Sequence, residues 1–186
     1  MADKAQHDAE FRDGMPFLGG RVWLDLLNTT PVDGGVRRDF LGNPEGCGRW
    51  LAAAELPQAA SGITALRDVL QDCFDRLAGG EPLRDTAVAA VNRHLAGLQA
   101  RVRLVEDGSL RRLERQVEGD ALALIADDFA RFACEADPSR LRRCADPACT
   151  MVFHDTSKNG TRRWCSMAVC GNRDKVARYR ARRAKV

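Results

Sequence analysis

Four cysteines near the C-terminal end, Cys144, Cys149, Cys165 and Cys170, form two pairs with four residues inside each pair and fifteen between them. Two short loops joined by a longer segment can bring four thiolates around one zinc ion at about 2.3 Å without backbone strain. Two intervening residues are commoner than four, but the same gap occurs twice. The chain has seven cysteines, an odd number, and its polar, acidic opening from Met1 to Arg12 is unlike a secretion signal. Both features argue against a disulfide framework and for a reducing, cytoplasmic setting. We therefore expect one structural zinc per chain. Four thiolates complete its shell, so His154 and Asp155 are not needed as ligands, and no position remains for a reacting water.

The segment between the pairs suggests a hairpin, with Met151-Val152-Phe153 as one strand, Arg162-Arg163-Trp164 as the other and Asn159-Gly160 as the turn. A knuckle, a hairpin and a final helix together make a treble-clef-like finger. So few apolar residues lie in 140–186 that the module needs a staple, and a structural zinc contributes on the order of 10 kcal/mol. The tail is expected to form its own core, separate from the body.

Charge divides the chain at the same place. Residues 140–186 hold 13 Lys and Arg against 3 Asp and Glu, a net +10, which leaves −7 on the first 139 residues. Beyond Cys170, Lys175, Arg178, Arg182 and Lys185 fall on one helical stripe, with Tyr179 at its edge. Arg173, Arg180 and Arg183 share the helix, and Arg162 and Arg163 precede Cys165. A concentrated positive surface on a rigid scaffold suits the phosphates and groove of duplex DNA. An RNA or an acidic protein partner would exploit the same charge. Arg173, beside the second cysteine pair, could read a base edge instead of a phosphate.

Residues 1–14 read as a mobile arm and 15–139 as a mainly helical domain with one hairpin. Helices are expected over Val22 to Leu27, a segment that would also suit a buried strand, around Arg49 to Leu56, from Ser61 as N-cap to Gly79-Gly80, from Pro82 through Val88, Val91, Leu95 and Leu98, and from Asp120 to near Asp137-Pro138. Residues 101–113 change to strand periodicity around Asp107-Gly108, a favoured tight-turn pair. Asp25, Asn28 and Thr29 are polar groups within or beside an apolar segment, expected to bond the local fold. Cys47, Cys73 and Cys134 read as small buried side chains. No phosphate loop, nucleophile elbow or membrane-length apolar run occurs in this sequence, so neither enzyme nor membrane protein is expected.

The tail resembles the CGNR zinc fingers, named for the run that stands here as Cys170-Gly171-Asn172-Arg173. Phe153, Asp155-Thr156-Ser157, Asn159-Gly160 and Arg162-Arg163-Trp164-Cys165-Ser166-Met167 carry the likeness with all four cysteines. Upstream, Phe17-Leu18-Gly19-Gly20, Leu24-Asp25-Leu26-Leu27-Asn28-Thr29 and Trp50-Leu51 resemble the companion ABATE domain. The resemblance implies a bacterial stress-induced transcription regulator with the finger as DNA reader. The N-terminal domain would then sense a small-molecule effector or form a homodimer. It supplies no effector-binding residues.

Overall fold

Trp23, Leu24, Leu26 and Leu27 leave no solvent face on the short helix α1 (Val22–Leu27), so other elements must surround it. The computed structural model, which describes residues 10–33, 35–58 and 61–183, places α1 at the centre of the molecule. Residues 1–9 of the expected arm and Lys185 lie outside the described residues. Around α1 stand α2 (Pro44–Ala53), α3 (Ile63–Ala78), α4 (Asp85–Leu95) and α5 (Ala121–Glu135). Trp23 meets Phe129 edge-on at 5.2 Å and packs tilted against Phe132 at 5.3 Å. Aromatic pairs in these geometries add to the area they bury.

Local chemistry sets the helix ends. Asn43 caps α2 by accepting from the Gly46 amide at 2.8 Å, with Pro44 in its first turn, so the helix begins earlier than Arg49. Ser61 does not cap α3: the chain enters through Gly62 at φ +94°, a left-handed conformation that favours glycine. Asp85, not Pro82, opens α4, whose inner side is Ala87, Ala90 and Val91 while Val88 faces solvent. Asp120 caps α5 through the Ala123 amide at 2.8 Å. No local side chain caps α1. Asp128 of α5 accepts from the Trp23 amide at 3.2 Å and pairs with Arg21 at 3.0 Å, satisfying an orphan donor from across the core.

Among the described residues, eight short or medium strands form four antiparallel hairpins. Phe11–Arg12 (β1), inside the expected mobile arm, pairs with Met15–Pro16 (β2) just beyond it, and burial of Met15 anchors the pair. Val32–Asp33 (β3) pairs with Val36–Arg37 (β4). Gln99–Asp107 (β5) and Leu110–Glu118 (β6) form the long hairpin, extending further than 101–113 on both sides of its turn. Leu141–Arg143 (β7) pairs with Val152–His154 (β8).

This last pairing corrects the expected finger hairpin. The partner of Val152 and Phe153 is the strand before the first cysteine pair, not residues 162–164, which are irregular. The tail's core is also not separate: Leu141 and Val152 are buried in the helical core, and Leu18 joins the apolar cluster around the cysteines. Asn28 makes the junction. Its amide donates to the Val152 carbonyl and its Oδ1 accepts from the Val152 amide, both at 2.9 Å. Thr29 bonds the Leu26 carbonyl at 2.7 Å and receives Arg67 at 2.8 Å, so these polar groups do bond the local fold. Of the three outlying cysteines Cys73 is buried and Cys47 half-buried; Cys134 is exposed, because it falls on the outer side of α5.

Replacing Asn28 by Ala leaves both main-chain groups of Val152 unpaired in a dry interior. It should cost about 1–3 kcal/mol in urea unfolding. Asp25 gives a pH signature. Burial pushes its carboxyl up to about 7, against the opposing hydrogen bond from Gly19 and charge of Arg12. The folded state therefore holds this proton more tightly than the unfolded chain, so Asp25 favours folding below about pH 4 and loses that contribution as pH rises towards 7. The stability difference between wild type and Asp25→Asn should change progressively over that interval and level off above it. A constant difference would contradict the assignment.

Candidate metal centre and basic helix

The first cysteine pair occupies the connection between β7 and β8. Cys144 follows the end of β7, and its amide bonds the Met151 carbonyl at 2.9 Å, closing the loop that contains Cys149. Asp146 shapes that loop: its carboxylate accepts from the Ala148 amide at 3.0 Å and its carbonyl from the Cys149 amide at 2.9 Å. In the second pair Cys165 precedes, and Cys170 lies within, a single wide turn, Met167–Gly171, which Ser166 caps through the Val169 amide at 3.3 Å. That turn runs directly into α6 (Asn172–Arg183).

All four sulfur atoms lie within 4.8 Å of one another. Cys149 and Cys165 are 3.6 Å apart, and Cys165 and Cys170 3.7 Å. Both separations far exceed a disulfide bond of about 2.05 Å. They match the edge of about 3.8 Å expected for a tetrahedron of thiolates around zinc at about 2.3 Å. The donor set therefore fits zinc, and the four cysteines form one structural zinc site. Without a cation such a cluster opposes its own ionisation. Hydrogen bonding from Cys165 lets Cys149 ionise at about 6, while burial and neighbouring thiolates push Cys170 up, and its bond to Cys149 and burial push Cys165 up. A bound dication reverses this balance by favouring all four thiolates.

The CGNR run acquires a residue-by-residue meaning in this geometry. Cys170 is a ligand. Gly171 lies where a β-carbon would meet the Met167 side chain at 2.7 Å. Asn172 donates to the Ala168 carbonyl at 3.1 Å, tying the turn to the helix. Arg173 bonds Asp146 at 2.8 Å, so its guanidinium clamps the start of α6 to the first cysteine loop. The sequence had left Arg173 open as a base reader; the structure gives it an intramolecular partner.

Two neighbours are fixed in the same way. Asp155 is buried, and burial alone would raise its pKa. Bonds from Ser157 and the Arg162 amide, with the nearby Arg140 charge, prevail and hold it below its ordinary value. It organises the loop and is no metal ligand. His154 packs edge-on against Phe132 at 5.1 Å, and burial lowers its pKa. Arg162 donates to the Trp164 and Cys165 carbonyls and covers the Phe153 ring at 4.4 Å. It is structural, unlike its neighbour Arg163, which is exposed beside the Trp164 ring.

Helix α6 has no buried residue. Lys175, Arg180 and Arg182 make no ion pair among the described residues, Arg178 pairs only with Asp174 one turn away at 2.9 Å, and Arg183 lies over Tyr179. Lys175, Arg178 and Arg182 share a stripe flanked by Tyr179 and Arg183, whereas Arg173 and Arg180 lie on another side. Between finger and body is a cavity of about 210 Å³ lined by Phe11, Leu18, Phe40, Met151 and Arg173, with Cys149 on its wall. Among the described residues no helix is long and apolar enough to cross a membrane.

Purified protein should contain one zinc per chain. The Cys165→Ser variant should lose it and, because Leu141 and Val152 belong to the helical core, should also lower the unfolding temperature of the body. Metal analysis and thermal denaturation monitored by helix signal check both. Retention of stoichiometric zinc would refute the ligand set, and an unchanged body transition would refute the shared core.

Residues 140–183 match the CGNR zinc finger family. Residues 20–136 match ABATE, described as "Putative stress-induced transcription regulator". Comparison with curated proteins gives no match. The ABATE match covers more than half of the chain, so this protein belongs to the ABATE family and carries a C-terminal CGNR zinc finger.

Proposed function

We propose that this protein is a transcriptional regulator that holds duplex DNA with its C-terminal finger. The observation supporting this most directly is α6: a twelve-residue helix with no buried side chain, six basic residues and one acid, projecting from a zinc-stapled base. Its length is about 18 Å, and its width suits a major groove of about 12 Å. Lys175, Arg178 and Arg182 form the leading stripe, Arg183 flanks it, and Arg163 extends the positive surface at the finger's base. The exposed ion pair between Arg178 and Asp174 is worth little and can exchange for a phosphate. The acidic body keeps polyanions away from the rest of the molecule, so contact concentrates on the finger.

Position along the chain gives each arginine a different task. Arg173 and Arg162 hold the finger's loops together and are preorganising groups. Lys175, Arg178, Arg182 and Arg163 are free to neutralise phosphates. Small-molecule control of the finger would act through the cavity at its junction with the body, because residues of β1–β2 and of both cysteine loops line it together.

The test is a salt titration of duplex binding by the full chain. With about four phosphates neutralised, log affinity should fall against log salt with a slope near about −3.6, and Arg182→Ala should reduce that slope by about one. Arg173→Ala should behave differently, lowering zinc retention and finger stability before it changes the slope. Binding without salt dependence, or equal affinity for an unrelated polyanion and for RNA, would overturn the duplex reading. Tight arginine-dependent binding to an acidic protein in its absence would favour an adaptor.

A further inference from the structure

The hairpin β5–β6 has no part in the metal centre or the basic surface. Its strands pair over nine consecutive positions, from Gln99↔Glu118 to Asp107↔Leu110, without a bulge. Each strand is therefore about 30 Å long. Among the described residues it is a sheet of two strands, so both outer edges lack a neighbour. Val102, Leu104, Leu110 and Leu113 are 61–75% exposed on it. Neither a proline nor a lysine interrupts it. Exposed edges are usually protected by such residues or by bulges, and a lone two-stranded ribbon is marginally stable in water. Its tie to the body is Arg115, which holds Asp127 of α5 through two bonds of 2.9 Å.

We propose that the open edge of β5 pairs antiparallel with β5 of a second copy, making a four-stranded sheet across a twofold axis at Leu104. A second copy is the occupant because the ribbon's charges complement themselves. It carries five arginines against four acidic residues, too balanced to select a polyanion or an acidic protein. With the axis at Leu104, Arg101 faces the partner's Asp107 at both ends, and Arg103 faces the partner's Val105. The register also aligns the leucines, while Val102 faces the partner's Glu106. Since Leu104 is directly opposite Leu113 within each hairpin, four leucines line up across one face of the new sheet.

Main-chain geometry agrees with this register. The two-residue turn at Gly108-Ser109 is closed by Asp107↔Leu110. In such hairpins the closing pair exchanges both main-chain bonds, and bonded and non-bonded pairs then alternate. Val102, Leu104 and Glu106 consequently direct their N–H and C=O groups to the open edge, where the twofold needs them. The β6 edge is poorer. An axis at Leu113 would set Arg111 against the partner's Arg115, an axis one step either way sets Arg112 or Glu114 against itself, and Arg115 is committed to Asp127.

Strand addition buries less than a standard interface of roughly 1,200–2,000 Å², so association should be reversible and concentration-dependent. The dimer does not depend on DNA binding. It would present two α6 helices related by one twofold, as a two-half-site partner requires.

Sedimentation equilibrium of the full-length protein should show a monomer–dimer equilibrium in the micromolar range. Leu104→Glu should weaken it by about 100-fold through loss of two buried leucines, with zinc content unchanged and, at concentrations where both proteins are monomeric, the unfolding temperature unchanged because the site is exposed in the monomer. Arg101→Asp should also weaken it, and Arg101→Asp combined with Asp107→Arg should restore it. In a Cys134→Ser background, Leu104→Cys should give a disulfide-linked dimer under mild oxidation, since bonded antiparallel pairs bring Cα atoms to about 5.5 Å. Leu113→Cys should not, being three strand spacings, about 14 Å, from its counterpart. A protein monomeric throughout this range, a dimer indifferent to Leu104→Glu, or the absence of the Leu104→Cys cross-link would overturn the proposal.

Discussion

The two hydrogen bonds between the Asn28 amide and the main chain of Val152 join the parts of this molecule. Asn28 sits at the end of the central helix, and Val152 on the strand that leaves the first cysteine loop. A side-chain amide here does what a neighbouring strand would do, satisfying one donor and one acceptor where water cannot enter. Leu141 and Val152 can then enter the helical core without leaving polar groups stranded. The finger is thus held to the body by directional bonds as well as by apolar contact, and the orientation of α6 is tied to that of α1.

This attachment changes how the zinc should be viewed. In an isolated finger the metal replaces a missing core. Here it closes loops whose strands already belong to a larger core, and its main consequence is geometric. Four thiolates position the turn from which α6 departs, Arg173 braces that departure against Asp146, and Arg162 secures the approach to Cys165. A helix without buried residues has no packing of its own to orient it, so its direction must come from this base. The same economy explains why only part of the positive charge remains on the outer surface.

Much of the architecture was legible from local pattern. The periods of α1, α3 and α5 appear in Val22 to Leu27, in the spacing from Ile63 to Leu77 and in Leu122 to Phe132. The zinc ligands were legible because equal spacing in two cysteine pairs is a local constraint on loop closure. Strand pairing in the finger was not. Asn159-Gly160 carries a genuine turn signal, and Gly160 does adopt φ +61°, but the turn wraps around the Asp155 carboxylate and Arg140 instead of joining two strands. The strand β7, only three residues with two arginines, offers no alternation by which to find it. Ser61 failed as a cap because Gly62 supplies a left-handed entry to α3, a backbone choice that the capping pattern does not reveal. Asn43-Pro44 carried a cap signal, yet the helix was expected only around Arg49, because the glycines at 42, 46 and 48 suggest an irregular connection.

By itself the sequence determined the metal-binding set, the division into an acidic body and a basic tail, and the main helices. Each depends on spacing or composition within a short stretch of chain. Only the tertiary structure decided which polar groups those stretches would spend on one another. Asn28 and Val152 are 124 positions apart, Arg173 and Asp146 27 apart, and no periodicity links either pair. The exposed apolar hairpin belongs to the same class: alternation in 101–113 announces strands, but whether another element covers them depends on where the helices have already packed. Hydrogen bonds and burial between distant residues are properties of the folded chain, and they separate the arginines that build the finger from those left to face a partner.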